Sequence, residues 1–282
     1  MNRAPALIAL HAAVVLFGFA GLFGKWLALS PLVIVLGRTV VAATALGAIL
    51  LARPAQRARF DIRLIVSGAV LALHWVAFFA AIQTATVAVG LLGFASFPLF
   101  VLVLERTLLG RRWSPAEAAT ALAVAGGLAL LVPEFSFGNR TVQGLAWGVV
   151  SGFTFALLAV QNRRLAPERT AVDLAFWQNL LAALCLAPVV VLAAPWPVTL
   201  DGRDLALLLV LGLVCTALAH TVFIASLAVV SAHTASVIAA LEPVYGIALA
   251  AVLLHEVPGP RTLAGGALIV GAALAASRRA AR

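Results

Sequence analysis

Ten stretches of about twenty apolar residues, separated by short polar breaks, leave this chain little choice of solvent. They run near 5–27, 31–52, 62–83, 86–109, 114–132, 142–162, 171–194, 203–226, 231–254 and 259–277. Each is long enough to cross a hydrocarbon layer of roughly 30 Å as a helix. The breaks carry turn or charge signals, such as Ser30-Pro31, Arg53-Pro54, Gly110-Arg111-Arg112, Asn162-Arg163-Arg164 and Pro258-Gly259-Pro260. Hydrophobic residues make up 64% and charged residues 10%. A soluble domain holds roughly a quarter charged residues, so a water-soluble core could not hide this much apolar surface. The expected fold is an all-α integral membrane protein with ten transmembrane helices, because a segment in lipid must satisfy its own backbone. The first run is followed at once by others and reads as the first span rather than a signal peptide.

The charge distribution excludes some partners and orients the chain. A net charge of +9 invites a nucleic-acid reading, but the arginines sit in short clusters between apolar runs rather than along one solvated face. With the N-terminus in the cytoplasm, inside segments hold Arg3, Arg53, Arg57, Arg59, Arg63, Arg106, Arg111, Arg112, Arg163, Arg164, Arg169, Arg278, Arg279 and Arg282. The outside keeps Lys25, Arg140, Arg203 and Arg261. The positive-inside rule therefore predicts both termini in the cytoplasm. Cys185 and Cys215 fall within apolar runs and read as small packing residues. No metal-ligand set and no cofactor is expected.

An internal repeat adds a second constraint. The segment from His74 to Leu131 lies on the segment ending at Ala276 without insertion or deletion, at an offset of 145 residues. Phe78 meets Phe223, Ala80 meets Ala225, Thr86 meets Ser231, Pro98 meets Pro243, Phe100 meets Tyr245, Pro115 meets Pro260 and Gly126 meets Gly271. The first two spans of each half align with small changes of offset: Gly18-Phe19 falls on Gly152-Phe153, and Val41-Ala42-Ala43 on Leu181-Ala182-Ala183. Five spans per repeat is an odd number, so the second repeat enters the membrane from the opposite side. The domain reading is a first repeat at 1–135 and an inverted one at 140–282, with a site between them able to face either side. Gly144, Gly148 and Gly152 recur every four residues and predict close helix packing.

Ionisable groups inside the bilayer are costly, so each asks for a reason. Glu242 falls about eleven residues into the ninth run, directly before Pro243. A mid-helix proline would free a carbonyl one turn back and bend the helix, which suits a cation, a proton or a substrate ammonium group beside the carboxylate. The competing account is a structural glutamate that supports helix packing. Arg38 in the second run could grip a substrate carboxylate, but a peripheral supporting role is favoured for it. Lys25 reads as an interface anchor. His74 and His220 occupy near-equivalent places in the two repeats (Trp75 aligns with His220), and Trp75, Phe78, Phe79, Phe223 and Tyr245 offer flat walls for a substrate. Aromatic rings also simply fill membrane helices. Gln83, Gln178, which aligns with Arg38, and Trp177, Asn179, Gln161 and Asn162 are further polar candidates. Pro98 and Pro243 are candidate hinges.

Several enzymes are excluded by missing chemistry. There is no His-Glu-x-x-His and no Gly-x-Ser-x-Gly, and Asp61, Asp173, Asp201 and Asp204 all lie at ends or loops. Kinked helices in inverted repeats favour a carrier over a channel or a scaffold.

The layout resembles the drug/metabolite transporter superfamily in its EamA-type, ten-helix form. The residues that carry the likeness are Arg38 in Leu36-Gly37-Arg38-Thr39, Phe97-Pro98, Leu241-Glu242-Pro243-Val244, and His255-Glu256 after the ninth run. The chain departs from the pattern at Arg111, which stands where the second repeat has Glu256. Within the superfamily it is similar to bacterial exporters of aromatic amino acids, of the YddG type. The resemblance implies a secondary transporter of the bacterial inner membrane, with spans one, three, four, six, eight and nine around the cavity and spans five and ten supporting them. The implied partner besides the bilayer is a small amphipathic substrate, an aromatic or large apolar amino acid or another metabolite or drug, moved outward with or without protons.

Overall fold

Caps and prolines written into the breaks set where helices begin. Ser30 Oγ accepts from the Val33 N–H at 3.4 Å, and Pro31 takes the first helical position, where a missing N–H costs nothing. Asp201 caps a later helix by accepting from Asp204 N at 2.7 Å. The computed structural model describes residues 3–53, 55, 59–109, 115–131, 138–165, 168–193, 198–226, 229–230 and 238–279, and its regular elements are all helical. In chain order these are α1 (Arg3–Trp26), α2 (Pro31–Ala52), α3 (Arg63–Thr84), α4 (Val87–Phe94), α5 (Phe97–Leu109), α6 (Pro115–Leu131), α7 (Arg140–Leu165), α8 (Ala171–Ala193), α9 (Gly202–Gly212), a π-helical stretch (Leu213–Leu218), α10 (Ala219–Ser226), α11 (Glu242–Leu253) and α12 (Pro260–Arg279). Among the described residues, six helical rods are long and apolar enough to span a membrane: Ala4–Trp26, Pro31–Ala52, Arg63–Thr84, Arg140–Asn162, Ala171–Ala193 and Gly202–Ser226. Shorter apolar helices join them, and the chain is a multi-pass membrane protein.

The expected fourth and ninth spans are not unbroken helices bent by proline. α4 stops at Phe94, Ala95 and Ser96 make a tight turn, and the helix restarts at Phe97. Gly93 O accepts both from Ser96 N at 3.2 Å and from Ser96 Oγ at 2.7 Å, so the break satisfies itself locally. α11 likewise begins at Glu242, after a turn in which Leu241 N donates to Ile238 O at 3.0 Å. Pro98 and Pro243 therefore sit in first turns, where the ring is tolerated, and do not free carbonyls inside a helix. The expected start of the ninth span, residues 231–237, lies outside the described residues, as do Arg57, Arg111, Arg112 and Arg282 of the charge reading.

Helix starts fall at the offsets of the sequence repeat. α5 and α11 begin at Phe97 and Glu242, and α6 and α12 at Pro115 and Pro260, each pair 145 residues apart. α2 and α8 begin at Pro31 and Ala171, the offset that sets Arg38 on Gln178. α2 packs on α8, α6 on α12, α3 on α7 and α1 on α11. Glycines let α1 approach α11, and α7 approach the α4–α5 break, this closely. A Cβ on Gly152 of α7 would lie 2.8 Å from Phe94 O and 3.2 Å from Phe97 N, and one on Gly18 of α1 would lie 2.8 Å from Gly246 N and 3.0 Å from Glu242 O. Each helix restart is thus pressed by the backbone of a long helix from the other half. The rest of the α7 stripe packs as closely, with Gly148 against Gly93 and Gly144 against Ala85.

Candidate functional site

Arg38 departs furthest from expectation. It is neither peripheral nor reaching for the interface: the residue is 2% exposed and its guanidinium lies 4.0 Å from the Trp75 ring centroid and 5.5 Å from that of Phe79. Nε donates to Thr216 Oγ1 at 2.9 Å and Nη2 to Cys215 O at 3.5 Å. Both acceptors belong to the π-helical stretch, where Thr216 Oγ1 in turn donates to Leu211 O at 2.7 Å. Such a bulge exposes carbonyls that a regular α-helix keeps for itself. Gly212 brings this stretch against α2, since a Cβ there would lie 2.5 Å from Val41 Cβ and 3.1 Å from Arg38 O. Nothing in the sequence marked the bulge.

Arg38 forms part of the wall of a partly open cavity of about 50 Å³. α1 supplies Phe17 and Ala20; α3 supplies Leu71, His74, Trp75 and Phe78; Phe94, Phe155, Leu158, His220 and Glu242 complete the lining. That free volume is smaller than a metabolite. Glu242 is 6% exposed and makes no side-chain hydrogen bond among the described residues. As the first residue of α11 it stands where unpaired N–H groups and the helix dipole favour negative charge. A guanidinium and a carboxyl group therefore share one apolar, aromatic-walled space.

The two histidines differ in their satisfaction. His74 Nδ1 lies 3.0 Å from both Ser151 O and Ser151 Oγ, and its ring sits among Phe78, Phe94 and Phe155. His220 Nδ1 is buried without a hydrogen-bond partner among the described residues, and its ring meets Trp75 edge-on at 6.1 Å. Trp75 and His220, equivalent by the repeat, touch each other.

Of the residues expected at a binding site, His74, Trp75, Phe78, His220 and Glu242 line the cavity. Phe79 is buried behind it, Phe223 packs on Phe17 at 5.5 Å, and the Tyr245 hydroxyl lies 3.1 Å from His11 Nδ1. Gln83 is remote, its Nε2 donating to Leu29 O at 2.9 Å. Gln178 binds Ser67 Oγ and Asn162 Oδ1, each at 2.6 Å, and so ties α8 to α3 and α7 away from the cavity. Reading the sequence missed Phe17, Phe94, Phe155 and His11. The rings carried no signal beyond hydrophobicity, and His11 lies too near a terminus to have stood out.

An arginine and a glutamate buried on one aromatic-walled cavity, inside a multi-pass chain, fit the class that likeness to known proteins supports, a membrane transporter. Residues 142–278 match the EamA-like transporter family. The pseudopaline exporter CntI of Pseudomonas aeruginosa, in strains UCBPP-PA14 and PAO1, is 30% identical over 219 residues, which cover 76% of this chain and 74% of that protein. One solved crystal structure matches over the whole of both chains with a TM-score of 0.71 and 24% identity, a likeness of fold alone. The chain belongs to the EamA-like transporter family of the drug/metabolite transporter superfamily.

Proposed function

We propose that this protein exports a small zwitterionic metabolite, in the first place an aromatic or large apolar amino acid, by alternating access between two inverted five-helix repeats. The repeats are residues 1–135 and 140–282, in ten spans, with both termini on the cytoplasmic side of a bacterial inner membrane. The observation that carries this reading is the pairing of Arg38 and Glu242 on one aromatic-walled cavity. A guanidinium takes a carboxylate in a bidentate grip, a carboxylate takes an ammonium group, and Trp75 and Phe78 offer flat faces to a side chain. The cavity is too small for such a substrate, so binding requires helices to part. The breaks just before Pro98 and Pro243 are the pivots.

Similarity to a pseudopaline exporter supports a second reading, in which the cargo is another metabolite. The test is uptake of radiolabelled phenylalanine or tryptophan into liposomes containing the purified protein, with and without an imposed pH gradient. Saturable uptake, competed by other aromatic amino acids, is expected. Glu242→Gln should reduce it by at least about tenfold, the worth of one charge-assisted contact, at an unchanged unfolding temperature. Wild-type transport by Glu242→Gln would remove that carboxylate from the mechanism. No uptake by folded protein, together with transport of pseudopaline, would decide for the second cargo.

A further inference from the structure

The end of the molecule that carries Lys25 holds a ring of polar contacts that the cavity chemistry does not use. α3 ends in a turn, Gln83 to Val87, whose backbone groups are taken by side chains from three other parts of the chain. Lys25 Nζ donates to Ala85 O at 2.7 Å, while Arg140 donates through Nε to Thr84 O at 2.9 Å and through Nη2 to Gln83 O at 3.4 Å. Cations at the carbonyl end of a helix complement its dipole. On the far side of the turn, Glu256 Oε2 accepts from Val87 N, the first amide of α4, at 2.9 Å, and Glu256 Oε1 lies 3.7 Å from Lys25 Nζ. The chain is bent to deliver this carboxylate. Leu254 N and Glu256 N both donate to Ala250 O, and His255 between them takes a φ of 56°, a left-handed conformation normally left to glycine.

At the opposite end Arg169 is buried against Asp173 and donates to Arg59 O, but among the described residues no carboxylate from a distant segment caps a helix N-terminal amide of the cavity wall there as Glu256 caps Val87. There Arg63 bridges Asp61 and Glu168, and Arg63 and Glu168 are both about half exposed, with side-chain accessibilities of 51% and 58%. The repeat offers no copy of the ring: Glu256 aligns with Arg111, and Lys25, at the offset of Gly18 and Gly152, aligns with Ala159. The ring joins α1, α7 and the link between α11 and α12 to the single turn that connects α3 with α4, both of which line the cavity.

We propose that Glu256, Lys25 and Arg140 form a one-sided latch that holds the outer mouth of the cavity closed by capping the α3–α4 turn. It rests on the transport reading above. Opening outward separates α1 and the α11–α12 link from that turn, and so breaks the Glu256–Val87 and Lys25–Ala85 bonds together. Because Glu256 and Lys25 cap backbone groups as well as facing each other, reversing their charges does not rebuild the latch.

The test uses the full-length chain with Cys185 and Cys215 replaced by alanine and the cavity residue Ala20 replaced by cysteine. Labelling by a membrane-impermeant methanethiosulfonate is followed separately from each face of the membrane, so no substrate is needed. Glu256→Gln and Lys25→Gln should each raise the outer-face labelling rate about tenfold, a population shift toward the open state. Arg261→Gln, an exposed neighbour outside the ring, should leave it unchanged and serves as the control. Unchanged labelling in Glu256→Gln and Lys25→Gln proteins that keep their unfolding temperature would overturn the latch. So would restoration of slow labelling by Lys25→Glu with Glu256→Lys, which would reduce the ring to a plain ion pair. A cysteine at Ala20 labelled from neither face in any folded variant would remove the access path itself, and with it the transport reading.

Discussion

α5 and α11 restart at positions 145 residues apart, each against a glycine of the other half, and there the likeness ends. At Phe97 the restart presents a ring stacked on Phe94, with centroids 5.4 Å apart, and edge-on to Phe155 at 5.2 Å. At Glu242 it presents a carboxylate to a cavity that also holds Arg38. The same divergence separates Arg38 from Gln178. Arg38 reaches the π-helical stretch and stacks on Trp75; Gln178 ties three helices together through neutral hydrogen bonds. The backbone repeats, whereas the charges are confined to one member of each pair. A duplicated frame fixes where a helix breaks, and the side chain standing at the break decides whether it packs or binds.

The largest effect should come from breaking what the two restarts share. Gly18→Val and Gly152→Val each push a side chain into backbone atoms that cannot swing away, 2.8 Å from Gly246 N and 2.8 Å from Phe94 O respectively. Overpacking of this kind costs about 1–3 kcal/mol and in lipid has little room for relief. Both variants should lose folded yield and unfold at lower temperature in detergent. A loss in only one of them would mean that the restarts are not mechanically equivalent.

The next effect separates the pair that differs. Arg38→Lys keeps the charge but loses the planar stack on Trp75 and the forked reach to Thr216 and Cys215, so transport should fall by about tenfold or more with stability little changed. Gln178→Ala should do the reverse. It removes bonds to Ser67 and Asn162 at a site that is 0% exposed, costing about 1–3 kcal/mol of stability while transport per folded molecule persists. Transport assays normalised to folded protein distinguish the two. Loss of transport in a Gln178→Ala protein of normal stability would erase the asymmetry.

Much of this frame was legible because membrane helices are written in composition. The second run, 31–52, is the observed Pro31–Ala52, and Ser30-Pro31 signals its start through a cap and a ring that chemistry places there. The offset that puts Pro98 on Pro243 also sets the observed starts of α5 and α11 and of α6 and α12. What stayed hidden lies in contacts between distant segments. A proline inside an apolar run reads as a kink, because the preceding turn at Ala95-Ser96 consists of residues that fit a helix equally well. The π-helical stretch Leu213–Leu218 meets Arg38, and Gly212 just before it meets Val41, both far away in sequence. The edge position that the sequence implies for its helix points Arg38 to a supporting role, whereas its bonds to the π-helical stretch place it in the cavity wall.

The smallest effect, and the finest test of the comparison, concerns the walls. Trp75 and Phe78 line the cavity, whereas Phe223, which aligns with Phe78, packs on Phe17 outside that lining. If the repeat has specialised one half for recognition, Trp75→Ala and Phe78→Ala should change the ratio of rates for aromatic and aliphatic cargo by several-fold, on the order of the 1 kcal/mol that an aromatic contact contributes. Phe223→Ala should cost stability and leave that ratio alone. Competition assays with paired amino acids in the same liposomes read the ratio directly, free of differences in protein amount. A ratio that moves equally for Phe78 and Phe223 would mean that both rings meet the cargo when the helices part. The difference between the halves would then belong to the closed state rather than to recognition.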